Sequence, residues 1–207
     1  MIEVDTPLGP ARVLSGGPDG SAAGTLVLGG GAGGGVDAPD LLAVTAAAAD
    51  AGWRVLRVEQ PWRVAGKRIA PAPPRLDLGW TAVLERLDAD GRLTAPLVFG
   101  GRSAGARVAC RTAVGHRADG VLALAFPLHP PGRPERSRAG ELAAVPVPVL
   151  VVQGERDPFG NPAEVAQAAP VVTVRAVPGD HSLRQDLDAV AAAVLAWLLQ
   201  LRPIRRG

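Results

Sequence analysis

Short apolar, β-branched runs alternate with segments of helical periodicity along almost the whole chain, and this constrains its fold more than any other feature. Candidate strands are Ala11–Leu14, Thr25–Leu28, Arg54–Val58, Leu97–Phe99, Gly120–Ala125, Val147–Gln153 and Val171–Ala176. The later ones are continuous apolar runs, as strands covered on both faces require. Between them lie candidate helices at Pro39–Ala51, Leu76–Asp88, Ser103–Val114, Pro162–Ala168 and Leu183–Leu201. Strand-helix alternation implies a mostly parallel central sheet flanked by helices. Only the Gly-Pro-rich "SGGPDGSAAG" separates the first two candidate strands, which predicts an opening antiparallel hairpin. Asp37 followed by Pro39 reads as a helix cap with proline in the first turn. Pro61–Pro74 and Pro127–Gly140 read as loops, and no linker divides residues 1–207, which are taken as one domain.

Charge and composition narrow the function. The formal charge is only +2, and the pI of 9.4 reflects scattered arginines, Lys67 being the sole lysine. A nucleic-acid partner would want a clustered basic stripe, and the terminal "RPIRRG" reads instead as a solvated end. Tyrosine is absent and aromatics are 3%, too few for a base-stacking platform. Cys110 is alone, so there is no internal disulfide framework, and on a helix it reads as a small buried apolar side chain. "MIEVDTPLGPARV" has no signal-peptide pattern, and the most apolar stretch, Leu187–Leu201, is too short to span a membrane. A soluble, cytoplasmic protein without membrane or nucleic-acid partners is expected.

Open parallel sheets place their sites at the carboxyl ends of the strands, so the residues after each strand carry the information. After Thr25–Leu28 comes "GGGAGGG", six glycines in seven residues. Gly29, Gly31 and Gly34 match a dinucleotide fingerprint with Glu59 as the ribose acid, but so glycine-rich a run nearly forces the match. Asp37 would also repel a pyrophosphate there. The same loop could be a flexible turn, or an oxyanion loop whose N–H groups face developing negative charge. After Leu97–Phe99 the chain turns on Gly100 and Gly101 and reads Gly101-Arg102-Ser103-Ala104-Gly105. This is G-x-S-x-G between a strand and a helix, the setting of a nucleophile elbow. After Val147–Gln153 comes "GERDPFG", where Asp157 sits in a tight loop with Glu155 as a fallback. After Val171–Ala176 comes "PGDHSL", with His181 before the last helix and Asp180 too close in sequence to reach its imidazole. The other histidines are His116, at a helix end, and His129, among prolines.

Each of these residues has an ordinary structural explanation by itself. Together they give nucleophile, acid and histidine in the order Ser103, Asp157, His181, each after a strand, with a glycine loop placed early. That is the chain order of the α/β-hydrolase arrangement.

On "LVLGGGAGGGVDAPDL", "GKRIAPAPPRL", "GGRSAGARVA", "VLVVQGERDPFG" and "VPGDHSL" the chain resembles the small, lid-poor α/β hydrolases related to dienelactone hydrolase, especially the KANL3/Tex30-type hydrolase-like branch. The resemblance implies an α/β-hydrolase fold with little or no lid. It also implies Ser103 as nucleophile, His181 as base, Asp157 as its orienting partner, and the N–H groups of Ala32 and Ala104 as oxyanion donors. Similar proteins commonly have His-Gly in the early loop; here Gly30 stands at the histidine position.

The implied chemistry is carboxylic-ester hydrolysis of a small molecule through an acyl-enzyme. No metal or organic cofactor is expected, because no Cys/His cluster has ligand spacing. Arg102, Lys67 and Arg68 could favour an acidic acyl group but are read as solvated charges. The alternatives are a non-catalytic hydrolase-fold module that binds a partner, and a nucleotide-binding protein using the glycine loop.

Overall fold

The computed structural model describes residues 1–201, so the basic tail expected to be solvated lies outside the described residues. Eight strands form one sheet: β1 (Ile2–Thr6), β2 (Gly9–Gly16), β3 (Thr25–Gly29), β4 (Arg54–Glu59), β5 (Leu97–Arg102), β6 (Gly120–Leu124), β7 (Val149–Gly154) and β8 (Thr173–Val177). Their spatial order is β1-β2-β4-β3-β5-β6-β7-β8. From β4 to β8 every pairing is parallel; β1 and β2 join antiparallel at one end. The helices are α1 (Pro39–Asp50), α2 (Pro61–Val64), α3 (Pro73–Ala89), α4 (Ala104–Thr112), α5 (Ala139–Ala143), α6 (Pro162–Ala168) and α7 (Leu187–Leu198). The mostly parallel sheet flanked by helices that the alternation predicts is the architecture observed.

The period of two in the strands builds two core layers. Leu26, Leu28, Val98, Leu122, Leu124, Leu150 and Val152 face α1 and α7, meeting Leu41, Val44, Val190 and Val194. Their neighbours Val27, Phe99, Val121, Ala123 and Val151 face the other way, against Trp80, Val83 and Leu87 of α3 and Val108 of α4. Trp80 meets Phe99 edge-to-face, with centroids 6.1 Å apart. Cys110 is buried in this second layer, as read.

Several local expectations are corrected. The opening hairpin is β1–β2, not β2–β3; β2 pairs with β1 and β4. The burial patterns give the reason. β2 is only half covered and suits the end of the sheet, whereas every residue of β3 is buried and belongs at its centre. The five-residue β1 escaped notice because it buries only Val4. β8, expected to be covered on both faces, is an edge strand that buries only Val177. Asp37 does not cap α1. Ala38 holds the N-cap position without a side-chain bond, and Asp37 instead pairs with Arg57 at 2.6 Å. The two expected loops are partly helical: α2 and the start of α3 fall in the first, and a 3₁₀ turn at Pro134–Arg136 and the start of α5 in the second.

Candidate active site

Gly100 and Gly101 do not turn the chain; they are the fourth and fifth of the six residues of β5, paired with β3 and β6. Their glycines are required by close approach. A Cβ on Gly101 or on Gly105 would overlap the carbonyl oxygen of Gly29, and one on Gly100 would lie 2.8 Å from that of Leu122. The start of α4 therefore presses directly on the end of β3. The chain makes that entry at Ser103, with φ 53° and ψ −107°. Such a conformation costs a non-glycine residue about 1–3 kcal/mol. It is held by the Ser103 N–H, which donates to Leu124 O at 2.9 Å, and by the Ser103 carbonyl, which accepts from Arg107 at 3.2 Å.

The strain points the hydroxyl at the histidine loop. His181 Nε2 lies 3.0 Å from Ser103 Oγ, and His181 Nδ1 lies 2.8 Å from Asp157 Oδ2. The Asp157 carboxylate is fully buried, and three donors compensate its charge. Besides His181 Nδ1 these are Phe159 N–H to Oδ1 at 2.8 Å and the Gln153 amide to Oδ2 at 2.9 Å. With Nδ1–H donating to the carboxylate, Nε2 is left as the acceptor facing the serine. The Phe159 ring covers the imidazole, centroids 4.3 Å apart.

Gln153 escaped the sequence reading, although a lone amide in the apolar run "VLVVQG" was the signal for it. Its Nε2 also reaches Phe126 O at 3.1 Å and Gly160 O at 2.7 Å. Three acceptors surround that nitrogen, which fixes the amide's orientation. Gln153 thus ties the Asp157 loop to the ends of two neighbouring strands.

Arg102 corrects the expectation of a solvated charge. Its side chain is mostly buried; Nη2 donates to His181 O at 2.9 Å, and Nε lies 3.3 Å from Asp40 Oδ2. Asp40 is 1% exposed. Burial pushes its carboxyl above the usual range, against the pull of the Arg102 guanidinium. A Cβ on Gly31 would lie 3.2 Å from Arg102 Nη1, so the same guanidinium also packs on the glycine loop. Its side chain therefore links the residue before the serine to the histidine loop, α1 and the loop after β3.

The remaining candidates separate cleanly. Asp180 turns from the imidazole to Ser182, whose N–H and hydroxyl bond its carboxylate and hold it below the usual range. Glu155 is exposed, with its backbone N–H on Val177 O. His116 lies beyond the end of α4 and lines a separate pocket that includes neither Ser103 nor His181. His129 Nδ1 is 3.0 Å from Pro130 O. Glu59 pairs with Arg12 at 3.7 Å rather than standing free for a ribose, and buried Asp40 in the first turn of α1 makes that N-terminus hostile to a pyrophosphate. Gly30 packs against Gly35, whose backbone would lie 3.2 Å from an added Cβ.

Ser103 and His181 open into a cleft of about 580 Å3, whose walls include Ala32, Gly34, Asp40, Arg102, Phe159 and Arg184. Ala104, on the other side of the serine, has a first-turn N–H with no acceptor inside its helix. No His/Cys/Asp/Glu group able to hold a metal occurs among the described residues, and none of their helices is long and apolar enough to cross a membrane.

Comparison with known proteins agrees with this architecture. Over 96–99% of its length the chain superposes on a serine hydrolase without a lid from Xanthomonas campestris (TM-score 0.79, 20% identity, 99% of this chain and 95% of that one) and on two further structures. These are Est1E from Butyrivibrio proteoclasticus with ferulic acid bound (0.81, 15%, 97% and 99%) and an enol-lactonase from Burkholderia xenovorans (0.73, 16%, 96% and 100%). No curated protein matches the chain. Residues 22–191 match the alpha/beta hydrolase domain family, and with most of its length inside that match the chain belongs to the family.

Proposed function

We propose that the protein is a serine hydrolase that cleaves carboxylic esters of small molecules through an acyl-enzyme. The observation that carries the reading is the continuous hydrogen-bond chain from buried Asp157 through His181 to Ser103 at 2.8 and 3.0 Å, at the floor of an open cleft. In this reading neutral His181 takes the Ser103 proton as Oγ attacks the acyl carbonyl. The N–H groups of Ala104 and Ala32 receive the oxyanion. His181 then protonates the leaving alcohol, and water attacks the acyl-enzyme by the reverse sequence. Asp157 holds the imidazole tautomer and balances the imidazolium. Within the family, "VVQGERDPFG" and "GDHS" support a place near the dienelactone hydrolase-like members, working as a one-domain cytoplasmic enzyme.

The test is covalent labelling of the purified chain by a fluorophosphonate, with Ser103→Ala and His181→Ala alongside. The expected outcome is labelling of the wild type alone, followed by turnover on an ester panel. A folded wild type that neither labels nor turns over esters would make the elbow architectural and the protein a non-catalytic binding module.

A further inference from the structure

We infer that Gln153 is a positioning residue of the reaction: it fixes the carboxylate of Asp157 and so governs how well His181 activates Ser103. This rests on the serine-hydrolase reading. Along β7, Val149, Val151 and Gln153 point to one face of the sheet, the first two into the core layer shared with α3 and α4. An apolar residue would continue that series. Gln153 is instead fully buried and leaves its Oε1 without a hydrogen bond, a cost in free energy that a plain core residue avoids.

The nitrogen end accounts for the choice. Gln153 Nε2 donates to Asp157 Oδ2 at 2.9 Å, the same oxygen that faces His181 Nδ1 at 2.8 Å. The other oxygen, Oδ1, accepts from the Phe159 N–H at 2.8 Å. A carboxylate gripped at both oxygens cannot rotate about its Cβ–Cγ bond, so Oδ2 stays aimed at the imidazole. The Phe159 grip belongs to the same loop as Asp157, whereas Gln153 refers the carboxylate to the sheet. The amide cannot turn over, since that would set Oε1 against Phe126 O, Gly160 O and Asp157 Oδ2. Nor does the loop depend on Gln153 alone for its path. Its backbone is closed by Asp157 N–H to Gly154 O at 3.1 Å and Gly160 N–H to Asp157 O at 3.2 Å, and His129 N–H holds Phe159 O at 3.0 Å. Removing the Gln153 donor therefore frees the carboxylate while the loop around it stays.

The experiment measures the second-order rate constant for labelling of Ser103 by an ethyl fluorophosphonate in the wild type, Gln153→Met and Gln153→Asn. Each is measured with and without Asp157→Ala, against a Ser103→Ala blank. Met removes the nitrogen; Asn withdraws it by one carbon–carbon bond. With Asp157 present, either variant that keeps the native circular dichroism is expected to label roughly tenfold more slowly or worse, and kcat on p-nitrophenyl acetate to fall in parallel with KM little changed. In the Asp157→Ala background no carboxylate remains to be aimed, and the same substitution is expected to change the rate by less than about twofold. A loss below tenfold with Asp157, or of twofold or more without it, overturns the inference, and wild-type labelling then leaves the serine-hydrolase reading standing. If the wild type neither labels nor cleaves any ester, that reading fails and the role of Gln153 falls with it. Should neither variant fold, the wild type decides. Two protons on one oxygen lie within about 4 Å of each other, so NMR is expected to show a nuclear Overhauser contact between a Gln153 Nε2 proton and the His181 Nδ1 proton, and its absence overturns the inference.

Discussion

Ser103 holds its backbone at φ 53°, in a region that only its surroundings make tolerable. Those surroundings are Gly101 and Gly105. Gly105→Ala is expected to destabilise the fold by about 2 kcal/mol or more, read by denaturant melts, because the new methyl meets the Gly29 carbonyl and rigid backbone must move. Polar residues matter through what they orient. Asp157→Asn cannot balance the imidazolium or hold its tautomer, and ester turnover is expected to fall about 10³- to 10⁴-fold with the structure intact by circular dichroism. Arg102→Lys keeps the charge but cannot reach His181 O and Asp40 together; kcat is expected to fall about tenfold with KM little changed. Cys110 makes the opposite point. Burial, with Glu141 nearby, pushes its thiol up to about 12, so iodoacetamide should modify it only in the unfolded chain.

Helices are tied to one another as well as to the sheet. Arg111 of α4 reaches Asp77 of α3 at 2.6 Å and Glu141 of α5 at 3.3 Å, and Arg107 bonds Glu141 through both of its carboxylate oxygens. Burial opposes the Glu141 charge, but the two guanidiniums more than offset it and hold the carboxyl below its ordinary 4.5. A depressed folded value means that the stabilisation is complete above the unfolded value and is lost as pH falls through the folded one. Glu141→Gln should therefore cost about 1–3 kcal/mol at neutral pH, with the gap to wild type in thermal melts narrowing in acid. The elements themselves were largely legible in the sequence. α6, with the same bounds in both readings, carries a complete capping box from Asn161 and Glu164. Misreadings fell where tertiary contact overrode local signals, as when Arg57 on β4 drew Asp37 away from the cap it resembled.

The whole molecule leaves the serine in an open cleft with no helical cap over it among the described residues. Ester hydrolysis should then follow simple saturation, with no jump in rate as a short-chain ester passes its solubility limit; such a jump would reveal a moving cover. By itself the sequence determined the layered sheet and the order serine, aspartate, histidine, because strand periodicity, helix periodicity and the glycines of the elbow are local properties of the chain. It also pointed to the loops that meet at the candidate site, since each follows a strand. Only the tertiary structure decided which groups meet. Ser103 and His181 are 78 residues apart, and their 3.0 Å contact exists because β5 and β8 end at the same edge of one sheet. The same folding turned Arg102 from an apparent surface charge into a buried brace on Asp40 and recruited Gln153 behind Asp157. Burial and distance are properties of packing between remote segments, and no local pattern encodes them.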